Sequence, residues 1–450
     1  MDYKITGSAT IIKNTKLQGW FFNKDAPDTH LIAELYINHK KIDDILCKEY
    51  REDLVKKEIH KTGKVGFSYK VDIEELDHIH IYFPDYKYQF IVQKGFELTK
   101  NIEKKELCTM HIGMHKTGSS SIQYNLSRNS YSTFSYFNLE AENHSIPLFS
   151  LFSKKPEQYH IHRRNKRTKE DVEKYNKRVE KLFIQHLIAN EEYQHFVISG
   201  EDISMLPLES IAHLKSFLFH YFKKVQIIAY VRSPLSYMSS TFQENVKAGL
   251  ADFQVENTYP YYRLRFEKFY KVFGEKYVSL IHFDKKNLYC GDVVHDFLKR
   301  VGEPITCEKV YFNQINQSLS KEATCIFYLF NKVVLSNIND VLEREKTRIA
   351  LLNILMKIGT DKFKLNNTLV QKIIKKHESD IEWIEEKLGK NIFNETVSNI
   401  QGVNNEYDII KFAKNAINTL TNEEKMEIES IIDLKSALQT IQKLEHKDVD

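Results

Sequence analysis

The residues with the clearest chemical potential lie between His111 and Gln123, in the sequence HIGMHKTGSSSIQ. An apolar run precedes this segment, glycines interrupt it, and a helical pattern follows it. A strand that turns into a helix in this way presents backbone N–H groups at the helix N-terminus, where they attract anions. A lysine adds a full positive charge, and several hydroxyl side chains add donors. The predicted phosphate-binding residues are Lys116, Thr117, Gly118, Ser119, Ser120 and Ser121.

The glycine spacing of this loop can be compared with that of nucleotide-hydrolysing P-loops, which read G-x-x-x-x-G-K-[ST]. Gly113 and Gly118 have the required separation. However, Ser119 occupies the position of the P-loop lysine, and Lys116 lies inside the loop instead. The segment therefore indicates a phosphate site that differs from an ordinary ATP- or GTP-hydrolysing loop.

A second candidate anion site follows the apolar stretch Val225–Val231. Arg232 comes directly after this predicted strand, Ser233 can cap the next helix, and Pro234 suits its first turn. Ser240 lies eight residues after Arg232, which is about two helical turns along. A guanidinium group at a strand end and a hydroxyl group on the following helix can face one phosphate, and arginine matches its oxygens well.

The two motifs together resemble the donor site of sulfotransferases that use PAPS (3′-phosphoadenosine-5′-phosphosulfate), especially the bacterial and Golgi-type carbohydrate sulfotransferases. The resemblance spans Leu107–Asn331. It implies that the loop holds the 5′-phosphosulfate, with Lys116 at the bridging oxygen, and that Arg232 and Ser240 hold the 3′-phosphate. Ser239, next to Ser240, is a weaker candidate for contact with the 3′-phosphate. The Arg-Lys-Gly signature of cytosolic small-molecule sulfotransferases is absent, which favours a glycan acceptor.

Sulfuryl transfer needs a base for the acceptor proton and a group that stabilises charge on the leaving phosphate. Lys116 is the candidate for the second task. Glu201 and Asp202 directly follow a short apolar strand, at the edge of the sheet where ligands bind. Several carbohydrate sulfotransferases use a glutamate as base, so Glu201 is the first choice, although it could instead be a loop or helix-capping carboxylate. His115 is the alternative, because a neutral imidazole accepts protons near pH 7.

The stretch Lys154–Arg167 contains six Lys or Arg residues and one acidic residue. Such a tract could bind an acidic glycan or an anionic lipid surface, or it could be a solvated basic loop. It lacks a series of aromatic residues interleaved with the basic ones and any known nucleic-acid module, so nucleic acid is not the expected partner. The candidate acceptor-binding residues are His160, His162, Arg163 and Arg164.

The elements that must position these residues follow from the alternation of apolar runs and amphipathic stretches after residue 107. This alternation predicts a parallel sheet with helices on both faces. The predicted strands are Cys108–Gly113, Phe196–Ser199, Val225–Val231 and Val278–Phe283. The predicted helices are Ser119–Arg128, Lys169–Ala189, Leu208–Phe222, Pro234–Ala248 and Asp292–Val301.

The chain divides into three predicted domains. Short apolar runs separated by turn residues indicate a small β-sandwich at residues 1–95. A charged linker at Lys94–Leu107 precedes a P-loop-like α/β domain at residues 105–330, and a helical C-terminal region follows at 331–450. The predicted fold class is therefore α/β, with a β-sandwich before the parallel sheet and helices after it.

The five cysteines are odd in number and form no CxxC pair, so we expect reduced thiols and no zinc site. No apolar run is long enough to span a bilayer, and the N-terminus lacks an apolar signal segment. A net charge of +4 does not require a nucleic-acid partner. These features predict a cytoplasmic protein, and peripheral contact with the inner face of the membrane stays open.

The sequence thus predicts an enzyme that transfers a sulfuryl group from PAPS to a hydroxyl or amine of a glycan and releases PAP, the desulfated donor. The expected acceptor is a bacterial surface polysaccharide or its lipid-linked precursor, and no metal ion is required. Two alternatives stay open. One is a P-loop-type kinase that uses ATP and Mg²⁺, and the other is a non-catalytic glycan-binding protein with a relict donor fold.

Overall fold

The structure is a computed structural model that describes residues 5–12, 15–37, 40–72, 79–86, 88–92, 103–308, 318–392 and 402–445. Two antiparallel sheets near the N-terminus precede a five-stranded parallel sheet, and helices cover that sheet and form the C-terminal part. This arrangement confirms the predicted α/β fold class.

Eight strands and one short helix, α1 (Glu52–Lys56), form the N-terminal part. The strands are β1 (Ile5–Ile12), β2 (Lys16–Asn23), β3 (Leu31–Ile37), β4 (Lys40–Cys47), β5 (Glu49–Tyr50), β6 (Lys64–Lys70), β7 (Ile79–Phe83) and β8 (Tyr88–Val92). They pair in the orders β1-β2-β6-β5 and β4-β3-β7-β8. Apolar side chains from both sheets share one buried cluster that includes Phe21, Leu35 and Ile81. Two sheets that bury their inner faces against each other form a β-sandwich.

The apolar runs that predict strands in this part do not cover β1, β4 and β5, which are all edge strands. Strand β4 reads KKIDDILC, and only Ile45 and Cys47 of its side chains are buried. An edge strand with one solvated side carries charged residues, and these hide the apolar alternation that predicts a strand.

The parallel sheet contains five strands in the order β10-β11-β9-β12-β13. They are β9 (Lys105–His111), β10 (Ser135–Tyr136), β11 (His195–Ser199), β12 (Phe222–Val231) and β13 (Val278–His282). The helices that accompany them are α2 (Ser119–Arg128), α3 (Ser145–Phe152), α4 (His160–Arg164), α5 (Lys169–Ala189), α6 (Leu208–Tyr221), α7 (Pro234–Lys247), α8 (Tyr262–Phe273) and α9 (Val293–Arg300).

Both faces of this sheet are buried, as the apolar sequences of its central strands require. On β12, Ile227 and Ala229 join the cluster formed with α5 and α6, whereas Ile228 and Tyr230 join the opposite cluster formed with α2 and α9. Successive side chains of a strand point to opposite faces, so one apolar strand anchors both helical layers.

The predicted helices α2 and α5 have the predicted bounds, and the ends of the other predicted strands and helices differ by at most three residues. The sequence pattern missed β10, α3, α4 and α8. Helix α3 reads SIPLFSLF, which is apolar on most sides and carries no helical periodicity. Strand β10 has only two residues, too few for a pattern.

The C-terminal part is helical, as predicted. Its helices are α10 (Lys321–Val333), α11 (Val341–Leu355), α12 (Asn367–Lys375), α13 (Glu378–Leu388), α14 (Glu406–Thr419), α15 (Asn422–Glu429) and α16 (Leu434–Glu445). The predicted boundary at 330 falls inside α10, and buried residues of these helices share one apolar cluster with the sheet. The predicted linker begins among residues 93–102, which lie outside the described residues, and β9 already begins at Lys105. The division into three domains stays a prediction.

The cysteine prediction is wrong for two residues. Cys290 and Cys307 form a disulfide with a Cα–Cα distance of 5.6 Å, while Cys47, Cys108 and Cys325 are buried free thiols. Helix α9 lies between the paired cysteines and brings the polypeptide back towards Cys290. The two cysteines therefore meet although they are 17 residues apart and form no recognisable sequence motif. Disulfides persist mainly in oxidising compartments, so the pairing removes one ground for the cytoplasmic prediction. In the described part of the chain, no helix has the length and apolar character needed to cross a membrane.

The double variant Cys290→Ser/Cys307→Ser should lower the free energy of unfolding by about 3 kcal/mol, because the cross-link no longer restricts the unfolded chain. Urea unfolding of the oxidised wild type and of the variant measures this difference. A reductant should bring the wild type to the stability of the variant and leave the variant unchanged. Equal unfolding midpoints for the oxidised wild type and the variant would contradict the disulfide.

Candidate active site

A cleft of about 630 Å³ opens beyond the carboxyl ends of the parallel strands, where ligands bind in sheets of this kind. Nearly all residues of the two predicted anion motifs contribute to its walls, together with both candidate bases. The predicted residues that line the cleft are His115, Lys116, Gly118, Ser119, Ser120, Ser121, Glu201, Arg232 and Ser240. A separate cavity of about 530 Å³ beside β10 is lined by other residues.

Strand pairing brings the loops of the cleft together. Strand β9 lies between β11 and β12, so His111 pairs with Ser199 on one side and with Ile228 on the other. The pairing with β12 continues beyond β9, because Met114 N donates to Tyr230 O at 2.9 Å and Tyr230 N donates to the carbonyl of residue 113 at 2.8 Å. The loop that contains Lys116 therefore starts beside the end of β12, from which Arg232 extends.

Three residues of the loop between β9 and α2, namely Gly113, Lys116 and Gly118, have positive φ angles. Gly118 has a φ angle of 81° and is the N-cap residue of α2. A Cβ atom at this position would lie 2.7 Å from Cγ1 of Val293, so α9 packs too closely for any side chain there. Lys116 has a φ angle of 67°, which is uncommon for a non-glycine residue and concentrates at functional sites.

Lys116 forms an ion pair inside the cleft. Its Nζ atom lies 2.7 Å from Oε1 of Glu244, and Lys247 contacts the same carboxylate oxygen at 3.1 Å. Burial lowers the pKa of Lys116, and the Glu244 contact offsets only part of this effect. Burial alone would raise the pKa of Glu244, but the two lysines lower it overall. Glu244 thus neutralises the lysine that the sequence analysis predicts to bind a phosphate.

Arg232 connects the two anion motifs directly. Its Nη1 atom donates to the Lys116 carbonyl at 2.8 Å, and its Nε atom donates to Ser236 Oγ at 2.7 Å. Ser239 and Ser240, which are neighbours on α7, have different surroundings. Ser240 lines the cleft, whereas Ser239 is buried and accepts a hydrogen bond from Leu365 N at 3.0 Å.

The hydroxyl group of Thr117 does not face the cleft. The residue is fully buried, and its Oγ1 atom donates to the Met114 carbonyl at 2.5 Å. Ser119 Oγ donates to the same carbonyl at 3.4 Å, although Ser119 also lines the cleft. In this structure the loop uses the Thr117 hydroxyl to close its own turn, and the contact of Thr117 with a phosphate stays a prediction.

Glu201 is held by amide donors. Gln123 Nε2 donates to Oε2 at 2.8 Å, and Asn143 Nδ2 donates to Oε1 at 3.1 Å. Ser145 Oγ lies 3.5 Å from Oε2. Both carboxylate oxygens are therefore engaged, by residues that lie 78 and 58 positions away in sequence. Sequence reasoning missed these partners because no local pattern indicates them.

His115 belongs to a different hydrogen-bonded chain. Its Nε2 atom lies 2.8 Å from Oδ1 of Asp202, and the Tyr159 hydroxyl donates to Oδ2 at 2.5 Å. Burial alone would raise the pKa of Asp202, but the contacts with His115 and Tyr159 lower it overall. Asp202 therefore stays ionised. The sequence indicated Asp202 only by its position after a strand, and nothing in the sequence indicated Tyr159.

The basic tract folds into a 3-10 turn (Pro156–Gln158) and α4. His162 is fully buried and lies 2.7 Å from Ser150 Oγ through its Nε2 atom, and burial lowers its pKa. The His162 side chain therefore packs inside the fold in this structure, and its contact with an acceptor stays a prediction. His160, Arg163 and Arg164 are exposed outside the cleft wall, and their acceptor role stays a prediction.

Among the described residues, no group of three or more His, Cys, Asp or Glu side chains could hold a metal ion.

Comparisons with known proteins add little to this description. No protein-family model matches the chain, and no curated protein matches it. Among solved structures, a sulfotransferase from Alicyclobacillus acidocaldarius matches with 14% sequence identity and a TM-score of 0.27, over 56% of this chain and 96% of that one. A likeness at this level says nothing further about the activity of the chain.

The variant Glu244→Gln should bind pyrophosphate more tightly than the wild type, because it removes a negative charge from the cleft and releases Lys116 from its ion pair. We expect the Kd at low salt to fall by about 3- to 10-fold, as measured by isothermal titration calorimetry.

The matched control is Glu173→Gln, which changes the net charge equally at an exposed position of α5. It should leave the Kd for pyrophosphate unchanged. Unchanged or weaker binding by Glu244→Gln would contradict the assignment of Lys116 as an anion-binding group that Glu244 neutralises.

Proposed function

We propose that the chain is a sulfotransferase that uses PAPS and transfers its sulfuryl group to a glycan. The observation that carries this proposal is the meeting of two anion motifs in one cleft. Lys116 lies at one motif and Arg232 at the other, and the arginine donates a hydrogen bond to the lysine carbonyl. A donor with phosphate groups at two ends matches such a cleft better than a nucleotide with phosphates at one end.

The residues of the cleft suit the two ends of the donor differently. The helix N-terminus at Gly118 and the hydroxyls of Ser120 and Ser121 would hold the 5′-phosphosulfate, since unpaired N–H groups at a helix N-terminus bind phosphate. Arg232 and Ser240 would hold the 3′-phosphate, for which the guanidinium fork is well suited. The 3′-phosphate distinguishes PAPS from ATP, so these two residues support a sulfotransferase over a kinase.

In the reaction, PAPS supplies an activated sulfuryl group whose bond to the bridging phosphate oxygen breaks as the acceptor oxygen or nitrogen bonds to sulfur. Lys116 would stabilise the negative charge that develops on the leaving phosphate. This requires its ammonium group to leave Glu244, so donor binding replaces one ion pair with another. A base beside the cleft takes the acceptor proton, and Glu201 and His115 are the two candidates that line it. The proposal gives no role to a metal ion.

The proposed acceptor is a hydroxyl or amine of an acidic or lipid-linked glycan, such as a bacterial surface polysaccharide or its precursor. Exposed Arg163 and Arg164 on α4 support an anionic partner. Tyr159, the N-cap residue of α4, contacts Asp202 next to Glu201, so a glycan bound along α4 would approach the cleft. The cytoplasmic location and contact with a membrane surface stay predictions.

Thermal unfolding with two nucleotides separates the proposed function from its alternatives. PAP should raise the Tm of the protein, because it carries both phosphate ends, whereas ADP with Mg²⁺ at the same concentration should raise it much less. Stabilisation by ADP with Mg²⁺ and not by PAP would support a kinase. Binding of PAP without any transfer of label from ³⁵S-PAPS to oligosaccharides would support a relict donor fold.

Substitutions at the cleft should separate donor binding from chemistry. Arg232→Ala should raise the Kd for PAP by about 30- to 100-fold, and Ser240→Ala by about 10-fold, because each removes a hydrogen bond to a charged phosphate. Lys116→Ala should lower the rate of sulfuryl transfer by at least about 100-fold. Calorimetry with PAP and release of ³⁵S-sulfate from PAPS measure the two effects.

Ser239→Ala is the matched control for Ser240→Ala. It removes the acceptor of the Leu365 N–H inside the fold and should lower the Tm without changing the Kd for PAP. Full activity of Lys116→Ala, or unchanged PAP binding by Arg232→Ala, would contradict the assignment of the donor site.

A further inference from the structure

A chain of three side chains lies beside the donor loop and belongs to neither anion motif. Asp202 accepts the Tyr159 hydroxyl at 2.5 Å through Oδ2 and contacts His115 Nε2 at 2.8 Å through Oδ1. Tyr159 is buried, the Asp202 side chain is 17% exposed, and that of His115 is 36% exposed. Exposure thus increases from the interior towards the cleft, and His115 is the member that lines the cleft.

Three separate segments of the polypeptide hold these three side chains in place. His115 lies in the loop after β9, Tyr159 directly precedes α4, and Asp202 lies in the 3-10 turn Glu201–Met205 that follows β11. The backbone N–H of Asp202 also donates to Ser145 Oγ at 3.0 Å, which fixes the position of its main chain. The carboxylate is therefore oriented from several sides and not only by the histidine.

The protonation states of Asp202 and Tyr159 determine the tautomer of His115. Asp202 is ionised, because the lowering of its pKa by His115 and Tyr159 outweighs the opposite effect of burial. Burial, and then the charge of Asp202, raises the pKa of Tyr159, so its hydroxyl stays protonated and donates. An ionised carboxylate only accepts hydrogen bonds, so His115 Nε2 must carry the hydrogen that points to Oδ1. In the neutral ring, Nδ1 is then the nitrogen with a lone pair.

Glu201 is in the opposite situation. Gln123 and Asn143 each donate a hydrogen bond to one of its carboxylate oxygens. Both carboxylate oxygens of Glu201 are therefore already engaged by side chains of the fold. Glu201 therefore suits the role of an anchor between α2, the segment before α3 and the turn after β11.

We propose that Asp202 and Tyr159 are positioning residues that hold His115 as its Nε2–H tautomer, and that His115 Nδ1 takes the proton of the acceptor. This inference rests on the proposed sulfotransferase function and replaces Glu201 as the first choice of base. When Nδ1 takes the proton, the ring becomes an imidazolium, and the Asp202 carboxylate stabilises its charge. The proton leaves the acceptor as its oxygen or nitrogen bonds to sulfur, and PAP leaves with the electrons of the broken bond.

Other charged groups lie near these three side chains. His160 lies close enough to Asp202 to lower its pKa further. The charged groups that line the cleft together with His115 are Lys116, Glu201, Arg232, Glu244, Lys285 and Asp292.

Histidine NMR tests the tautomer without any substrate. In protein labelled with ¹⁵N-histidine, the His115 signals, identified by their loss in His115→Gln, should show a protonated Nε2 and an unprotonated Nδ1 at pH 8. Asp202→Asn should give a mixture of tautomers, because an amide can either accept from or donate to Nε2. Tyr159→Phe should change the populations of the two His115 tautomers less than Asp202→Asn does. A His115 that is mainly the Nδ1–H tautomer in the wild type would overturn the proposal.

Kinetics test whether Asp202 acts through His115. With ³⁵S-PAPS and water as the acceptor, Asp202→Asn should lower kcat for sulfate release by about 100-fold, and Tyr159→Phe by about 3- to 10-fold. Both should keep the wild-type Kd for PAP. The double variant His115→Ala/Asp202→Asn should be no slower than His115→Ala alone, because a positioning residue has no effect without its partner.

Several outcomes would overturn the proposal. One is a double variant whose loss of kcat equals the product of the losses in the two single variants. Another is a wild-type kcat for His115→Ala. The third is a larger loss of kcat in Glu201→Gln than in His115→Ala. Failure of the wild type to bind PAP would refute the proposed function instead, and the NMR measurement would still decide whether Asp202 fixes the tautomer of His115.

Discussion

The position of β9 between β11 and β12 is the constraint on which the rest of the site depends. Because all three strands run parallel, their carboxyl ends lie at one edge of the sheet. The phosphate loop, the turn that carries Glu201 and Asp202, and Arg232 leave the sheet at this edge. A shift of one residue in the pairing between Met114 and Tyr230 would move Lys116 away from Arg232, which now contacts its carbonyl.

The apolar sheet makes this edge a suitable place for charged groups. Buried side chains on both faces of the central strands hold the backbone rigidly, while the cleft stays open to solvent on one side. Burial of Lys116 disfavours its charged form, and Glu244 provides the compensating negative charge when no anion is bound. An incoming phosphate would take over this compensation. Under the proposed function, Glu244 therefore stands in for the phosphate and influences the affinity of the cleft for anions.

The sequence predicted the parts of the site that depend on local physics. Gly118 and the serines at the start of α2, and Arg232 with Pro234 at the start of α7, mark strand ends and helix starts that backbone preferences dictate. The β-sandwich and the parallel sheet also follow from apolar periodicity, which indicates the face that each element buries.

The parts that the sequence did not predict depend on contacts between distant residues. Glu244 on α7 neutralises Lys116 in the loop after β9, and Tyr159 reaches Asp202 from a segment 43 positions earlier. The same holds for the disulfide of Cys290 and Cys307, and for the burial of His162 against Ser150. A residue type and its neighbours along the chain carry no information about such partners, so only the folded structure assigns them.

The most direct test of the central claim compares PAP with adenosine 5′-monophosphate, which lacks the 3′-phosphate, by isothermal titration calorimetry on the wild-type protein. A cleft built for two phosphate ends should bind PAP about 30- to 100-fold more tightly, because Arg232 and Ser240 contact a group that the monophosphate does not carry. Equal affinities for the two nucleotides would contradict the claim that this cleft holds a donor by both of its phosphate ends.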